Sequence, residues 1–215
     1  MKQFTTLIIF ALVSTFLVSC VRATHNRGKS RASKEKVLTG KEIYNKYNSA
    51  VFVVTTDRAQ GSGFFISSNG EALSNYHVIE KGDINSITIK TTDGRTYHSS
   101  QISIISYSKN KDYVRFKVNA SKRFNYIPMA PEPPEIGEKV FAIGSPLGLE
   151  NTFSEGSVSN LNSNDVYPIQ INAPIDHGSS GGALINQYGQ AIGITSAGYN
   201  SNANLNFAVD IHDAR

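Results

Sequence analysis

Beyond residue 50, short runs of β-branched and aromatic residues alternate with clusters of turn-forming residues. Val51–Val54, Gly63–Ile66, Ile87–Ile89, Ile102–Ile105 and Val114–Val118 read as strands, because such side chains suit a pleated, half-buried surface. Ser67-Ser68-Asn69-Gly70 and Thr92-Asp93-Gly94 read as hairpin turns, since Asn, Asp and Gly tolerate a positive φ. A proline-rich stretch, Pro128–Pro134, interrupts the pattern before further strands at Lys139–Ile143, Phe153–Leu161, Ile169–Ala173, Ala183–Ile185, Ala191–Thr195 and Leu205–Val209. Two sets of about six short strands, with turns but no helices between them, predict an all-β fold of two six-stranded antiparallel barrels rather than a βαβ fold. The first spans about residues 50–127 and the second about 135–215. From Tyr113 to Val118 apolar and polar residues alternate, so Val114, Phe116 and Val118 face a core. Arg115 then faces solvent or a cover absent from this chain. One helix is expected, near residues 40–48, where Thr39 and Glu42 have capping-box spacing and Ile43, Tyr44 and Tyr47 follow.

The front of the chain has a different pattern. Lys2 precedes an apolar run, Leu7–Val18, long enough for a signal-peptide core and short for a membrane span. Residues 1–19 therefore read as an export signal. The run ends in Leu17-Val18-Ser19-Cys20, which resembles the lipobox of bacterial lipoproteins; that resemblance implies lipid attachment at Cys20 and a membrane anchor facing the periplasm or the cell exterior. Residues 20–36 are polar and basic and read as a tether, leaving 37–215 as the globular body. Cys20 is the sole cysteine, so no disulfide forms within the chain.

Charge changes the picture once it is located. The net charge of +4 comes from seven basic residues against Glu35 alone between Lys2 and Lys36; taking these from the totals of 21 and 17 leaves 14 basic and 16 acidic residues in the body. A slightly acidic body has no electrostatic footprint for nucleic acid. No His-Glu-x-x-His, cysteine pair or carboxylate cluster at ligand spacing occurs, so neither metal nor cofactor is expected.

The segment richest in chemistry is Asp176-His177-Gly178-Ser179-Ser180-Gly181-Gly182. Its glycines let the chain turn tightly, baring the Ser180 side chain and aiming the N–H groups of Gly178 and Ser180 toward one point where an oxyanion could sit. Serine is a weak nucleophile at neutral pH and needs a base, usually a histidine whose tautomer is fixed by an acid.

Gly61-Ser62-Gly63-Phe64, Ser74-Asn75-Tyr76-His77-Val78, Lys111-Asp112-Tyr113-Val114 and Gly178-Ser179-Ser180-Gly181-Gly182 occur in an order and spacing that resemble the trypsin-like (chymotrypsin-like) serine proteases of the HtrA/Deg type. The similarity runs from about residue 48 to the end, where Asn206-Phe207-Ala208-Val209 resembles the family's last protease strand. The resemblance implies a serine endopeptidase acting on unfolded or damaged proteins, with His77 as general base, Asp112 as its orienting acid, Ser180 as nucleophile and Gly178 and Ser180 as oxyanion donors. It also allows a homo-oligomer. His25, His98, His177 and His212 fit the base less well by position, and Asp83 and Asp93 sit in turn-like stretches. An α/β-hydrolase would reverse the order of serine, acid and histidine.

Several positions depart from the family pattern. Ser179 stands where digestive proteases carry the aspartate of zymogen activation, so control is expected from loops around 144–165 and 196–204. Asp176 and His177 are also unusual, which bears on substrate preference. Pro174, Ser196, Ala197 and Gly198 are expected to form the specificity pocket, without an acid at its floor, favouring small or medium apolar side chains. The peptide-binding PDZ domain usual in the family does not follow within these 215 residues. The alternative reading is a silent binding module that holds peptides between the barrels.

Overall fold

The computed structural model describes residues 35–145, 151–176, 178–196 and 205–215. The export signal, Cys20 and nearly all of the tether lie outside the described residues. The capping box forms as expected: the Glu42 N–H donates to Thr39 Oγ1 at 3.3 Å and the Thr39 N–H donates to Glu42 Oε2 at 2.8 Å. It starts helix α1, Gly40–Tyr47, whose Ile43 and Tyr47 are buried. Hydrogen bonds from Lys36 and from Thr39 hold the exposed Glu42 carboxyl at a pKa of about 2.

Strands β1 (Val51–Thr55), β2 (Gln60–Phe65), β3 (Glu71–Ser74), β4 (Thr88–Thr91), β5 (Thr96–His98), β6 (Ile102–Ser108) and β7 (Tyr113–Val118) form one antiparallel sheet in the order β5-β4-β1-β2-β3-β7-β6. Its two edge strands are joined by one short 3-10 turn, Ser99–Gln101, so the sheet curls into a half-barrel. Strands β8 (Lys139–Gly144), β9 (Thr152–Leu161), β10 (Ile169–Ile171), β11 (Ala183–Asn186), β12 (Ala191–Ser196) and β13 (Asn206–Asp210) close a second barrel in the order β10-β13-β12-β11-β8-β9. The expected two-barrel, mostly β fold is therefore the observed one, with a refinement in the count. The first sheet has seven strands rather than six, because β3 and β5 are held by pairing with neighbours rather than by strongly apolar sequence. A second short helix, α2 (His77–Glu80), was also not expected.

Two apolar clusters fill the two barrels. One packs Phe52, Phe65, Ile89, Val114, Phe116 and Val118; the other packs Val140, Val158, Ile169, Leu184 and Ile192. A third joins them, bringing Val51, Phe64 and Leu73 of the first sheet against Phe141, Ile143 and Ile185 of the second and receiving Ile43 and Tyr47 of α1. The segment between β7 and β8 is bonded to both sheets, through the Ile127 N–H to the Phe65 carbonyl at 2.9 Å and the Ala130 N–H to the Ala191 carbonyl at 2.8 Å. Arg115 is neither bare nor waiting for an absent cover: its guanidinium bridges Glu71 on the neighbouring β3, with each side chain 24% exposed. Much of 144–165, expected as a mobile loop, is strand β9, while 146–150 and 197–204 lie outside the described residues.

Candidate active site

Strand β3 ends at Ser74 and the chain turns through Asn75 and Tyr76 into α2, which begins at His77. Asp112 immediately precedes β7, in a backbone conformation (φ 49°) that Asp tolerates better than most residues. These two loops meet through the Asp112 carboxylate. Its Oδ1 accepts the His77 backbone N–H at 2.8 Å, and its Oδ2 lies 2.7 Å from His77 Nδ1. The Asn75 side-chain amide donates to the Asp112 carbonyl at 3.0 Å. A carboxylate can only accept, so Nδ1 carries a ring proton, and in the neutral imidazole Nε2 keeps the lone pair. The Asp112 side chain is 7% exposed and that of His77 42%, so the acid is sealed while the imidazole can be reached.

The serine segment is built from backbone. Gly178 has φ 93°, and the Ser179 N–H donates to the Asp176 carbonyl at 3.0 Å, closing a turn whose third residue has positive φ. Ser179 is buried, its carbonyl taken by Thr195 Oγ1 at 2.8 Å and by the Gly182 N–H at 2.9 Å. Gly181 has φ 90°, and a Cβ there would stand 2.1 Å from the Ser62 carbonyl oxygen. No other residue fits that position without moving the backbone of the facing strand.

Strand β2 carries this segment to the histidine. The Ser62 N–H donates to the Ser180 carbonyl at 2.8 Å. Ser62 Oγ donates to the Gly178 carbonyl at 2.8 Å and accepts the Ser145 N–H at 2.8 Å. A Cβ on Gly61 would meet Val78 Cγ2 at 2.7 Å and the Ser180 carbonyl at 2.9 Å, so Gly61 is bracketed by the residue after His77 and by Ser180 itself. His77 and Asp112 are thus in direct contact, and the Ser180 backbone lies one glycine away from α2.

The remaining expected residues fare differently. Pro174 lines a cavity of about 310 Å³ together with Phe153, Ser179, Thr195 and Asp176. Asp176 is among the residues that border this cavity. Ser196 is buried at the end of β12. Ala197, Gly198 and His177 lie outside the described residues. His98 ends β5 and caps the 3-10 turn that follows, and His212 bonds Asp210. Sequence reasoning missed Tyr167, whose hydroxyl donates to Asp112 Oδ2 at 2.8 Å. The only hint was an aromatic residue placed between Asn164 and Pro168 in a loop rich in asparagine. Among the described residues no group of three or more His, Cys, Asp or Glu could hold a metal ion.

A two-barrel β protein with a histidine–aspartate pair on one sheet and a glycine-bounded serine on the other defines the scaffold class of the serine hydrolases that act by acyl transfer. The trypsin-like peptidase domain matches residues 61–194. The serine endoprotease DegS of Salmonella typhimurium is 31% identical over 185 residues, covering 82% of this chain and 49% of the relative. A probable periplasmic serine endoprotease, DegP-like, of Rhizobium meliloti is 32% identical over 162 residues, covering 71% of this chain and 31% of the relative. The crystal structure of the serine endoprotease from Yersinia pestis superposes with a TM-score of 0.72 at 28% identity, covering 84% of this chain and 65% of that one. The chain belongs to the trypsin-like peptidase family, as a protease domain of the HtrA/Deg type, and it spans about a third to a half of the length of these curated relatives.

Proposed function

We propose that this chain is a serine endopeptidase. Ser180 attacks the scissile carbonyl, His77 Nε2 takes the hydroxyl proton and returns it to the leaving amine, and Asp112 holds the ring and stabilises the imidazolium. Water then hydrolyses the acyl-enzyme by the same route. The N–H groups of Gly178 and Ser180 receive the oxyanion; the positive φ of Gly178 and the closed 176–179 turn support that assignment. The observation that carries the reading is the Asp112 carboxylate, buried and bound to both the backbone and the ring of His77. A silent binding module has no need of an imidazole held in one tautomer by a sealed acid.

Unfolded protein is the substrate class we infer, in keeping with relatives named serine endoproteases. Export, with residues 1–19 as the signal and Cys20 as the lipidated anchor, completes the reading; one relative is named as periplasmic. No helix among the described residues is long and apolar enough to cross a membrane. The test is cleavage of unfolded casein by the purified chain beside Ser180→Ala. Fragments from the wild type alone support the endopeptidase. Equal cleavage by both, or by neither at any casein concentration, rejects it.

A further inference from the structure

The β9–β10 hairpin loop, residues 162–168, reaches from the second barrel to the acid of the first sheet. Its shape is set locally: Asn162 has φ 59°, Asn164 Oδ1 accepts the Val166 N–H at 3.0 Å and the Tyr167 N–H at 2.6 Å, and the Ser163 N–H donates to the Pro168 carbonyl at 3.2 Å. This asparagine-centred turn delivers the Tyr167 ring to the cluster shared by the two barrels. Two ties then cross to neighbouring residues of the β6–β7 loop: Lys111 Nζ donates to the Asp165 carbonyl at 3.2 Å, and the Tyr167 hydroxyl donates to Asp112 Oδ2 at 2.8 Å.

Asp112 Oδ2 is the oxygen that also faces His77 Nδ1. The phenol and the imidazole therefore share one acceptor atom. With Asp112 5% exposed, solvent has little access to replace a lost donor. A donor on a carboxylate favours its ionised form and disperses its charge, which weakens its pull on a neighbouring imidazolium.

Resting on the peptidase reading for its consequence in catalysis, though not for its geometry, we propose that Tyr167 is a positioning residue for the His77–Asp112 pair. Its hydroxyl fixes the Asp112 carboxylate against the imidazole and sets the basicity of His77 from the second barrel. Among the described residues, charged groups on the elements that carry the pair include Lys111, which also faces Asp213 at 3.5 Å, and the Lys109–Glu80 pair at the far end of α2. The Lys109 pKa is raised by its bond to Glu80. All of these remain in place when only the phenol oxygen is removed.

The test is an NMR titration of the His77 ring, its signals assigned by their loss in His77→Gln, in the wild type and in Tyr167→Phe. Phenylalanine keeps the ring in the core, and a melting curve checks that the fold survives. The proposal expects the His77 midpoint to rise in Tyr167→Phe by about half a unit to one unit, with the acid limb of the kcat/KM profile moving the same way. A ring-fluorinated tyrosine at position 167, a stronger donor, should move the midpoint downward; it supplies the answer if the Phe variant is poorly folded. Superimposable titration curves, or shifts of the opposite sign, overturn the proposal. An enzyme without peptidase activity would overturn the function proposed above while the ring titration still decides the role of Tyr167.

Discussion

The two halves of the candidate site are held by different means. At the first sheet, side chains do the holding: a buried carboxylate and an amide of that sheet, with a phenol reaching over from the β9–β10 loop, fix His77 and Asp112. On the second barrel the backbone does it: Ser180 sits in a turn where Gly178 and Gly181 have positive φ and the flanking carbonyls are bonded to Ser62, Thr195 and neighbouring N–H groups. Removing an atom from the first half should change protonation and leave the fold alone. Adding an atom to the second half should change the fold. The contrast suits the chemistry proposed, since a base needs a tuned pKa while an oxyanion site needs N–H groups that do not move.

Adding one methyl group to the serine side gives the largest expected effect. Gly181→Ala forces a positive φ on alanine and drives its Cβ to 2.1 Å from the Ser62 carbonyl oxygen. We expect a cost of about 2–4 kcal/mol and a fall in Tm on the order of 10 °C, together with loss of casein cleavage. A melting curve within a degree of the wild type would mean that the backbone of this loop is softer than described.

The seam between the halves comes next. Ser62→Ala takes the donor from the Gly178 carbonyl and the acceptor from the Ser145 N–H, both in a site where Ser62 is fully buried. The expected cost is about 1–3 kcal/mol, and kcat/KM should fall more than KM rises if the turn carries the oxyanion donors. A variant that loses affinity but keeps kcat would separate this seam from the oxyanion geometry.

The smallest effect lies outside both halves. The bond from Arg115 holds the Glu71 carboxyl below the ordinary range, so the pair stabilises the folded state above the unfolded carboxylate's pKa and loses that contribution as the pH falls through the folded value. Arg115→Met should cost about 1 kcal/mol or less at neutral pH, the gap from wild type closing below about pH 4. Urea titrations at pH 7 and pH 3.5 read the difference; a gap that widens on acidification contradicts the assignment.

How much of this was legible in the sequence follows the same division. Strands made of β-branched and aromatic residues, such as β1, β7 and β12, announce themselves, whereas β3 and β5 are short and mixed and owe their form to partners elsewhere in the chain. Helix α2 has one turn and no capping side chain of its own, its first N–H being taken by Asp112 from 35 residues away. His77, Asp112 and Ser180 were singled out by resemblance to a family pattern, in segments marked by a glycine, an asparagine or a strand start. Tyr167 carries no such mark. Its partner is 55 residues distant, and only the β9–β10 hairpin brings the two together.

An endopeptidase of this design requires Ser180 to be a nucleophile activated by His77. Labelling of the purified chain with a fluorophosphonate, followed by peptide mapping, tests this most directly. Covalent modification is expected at Ser180 alone, abolished in His77→Ala and slowed on the order of a thousandfold or more in Asp112→Asn, both variants remaining folded. Labelling at another residue, or labelling of Ser180 at an unchanged rate in His77→Ala, would contradict it.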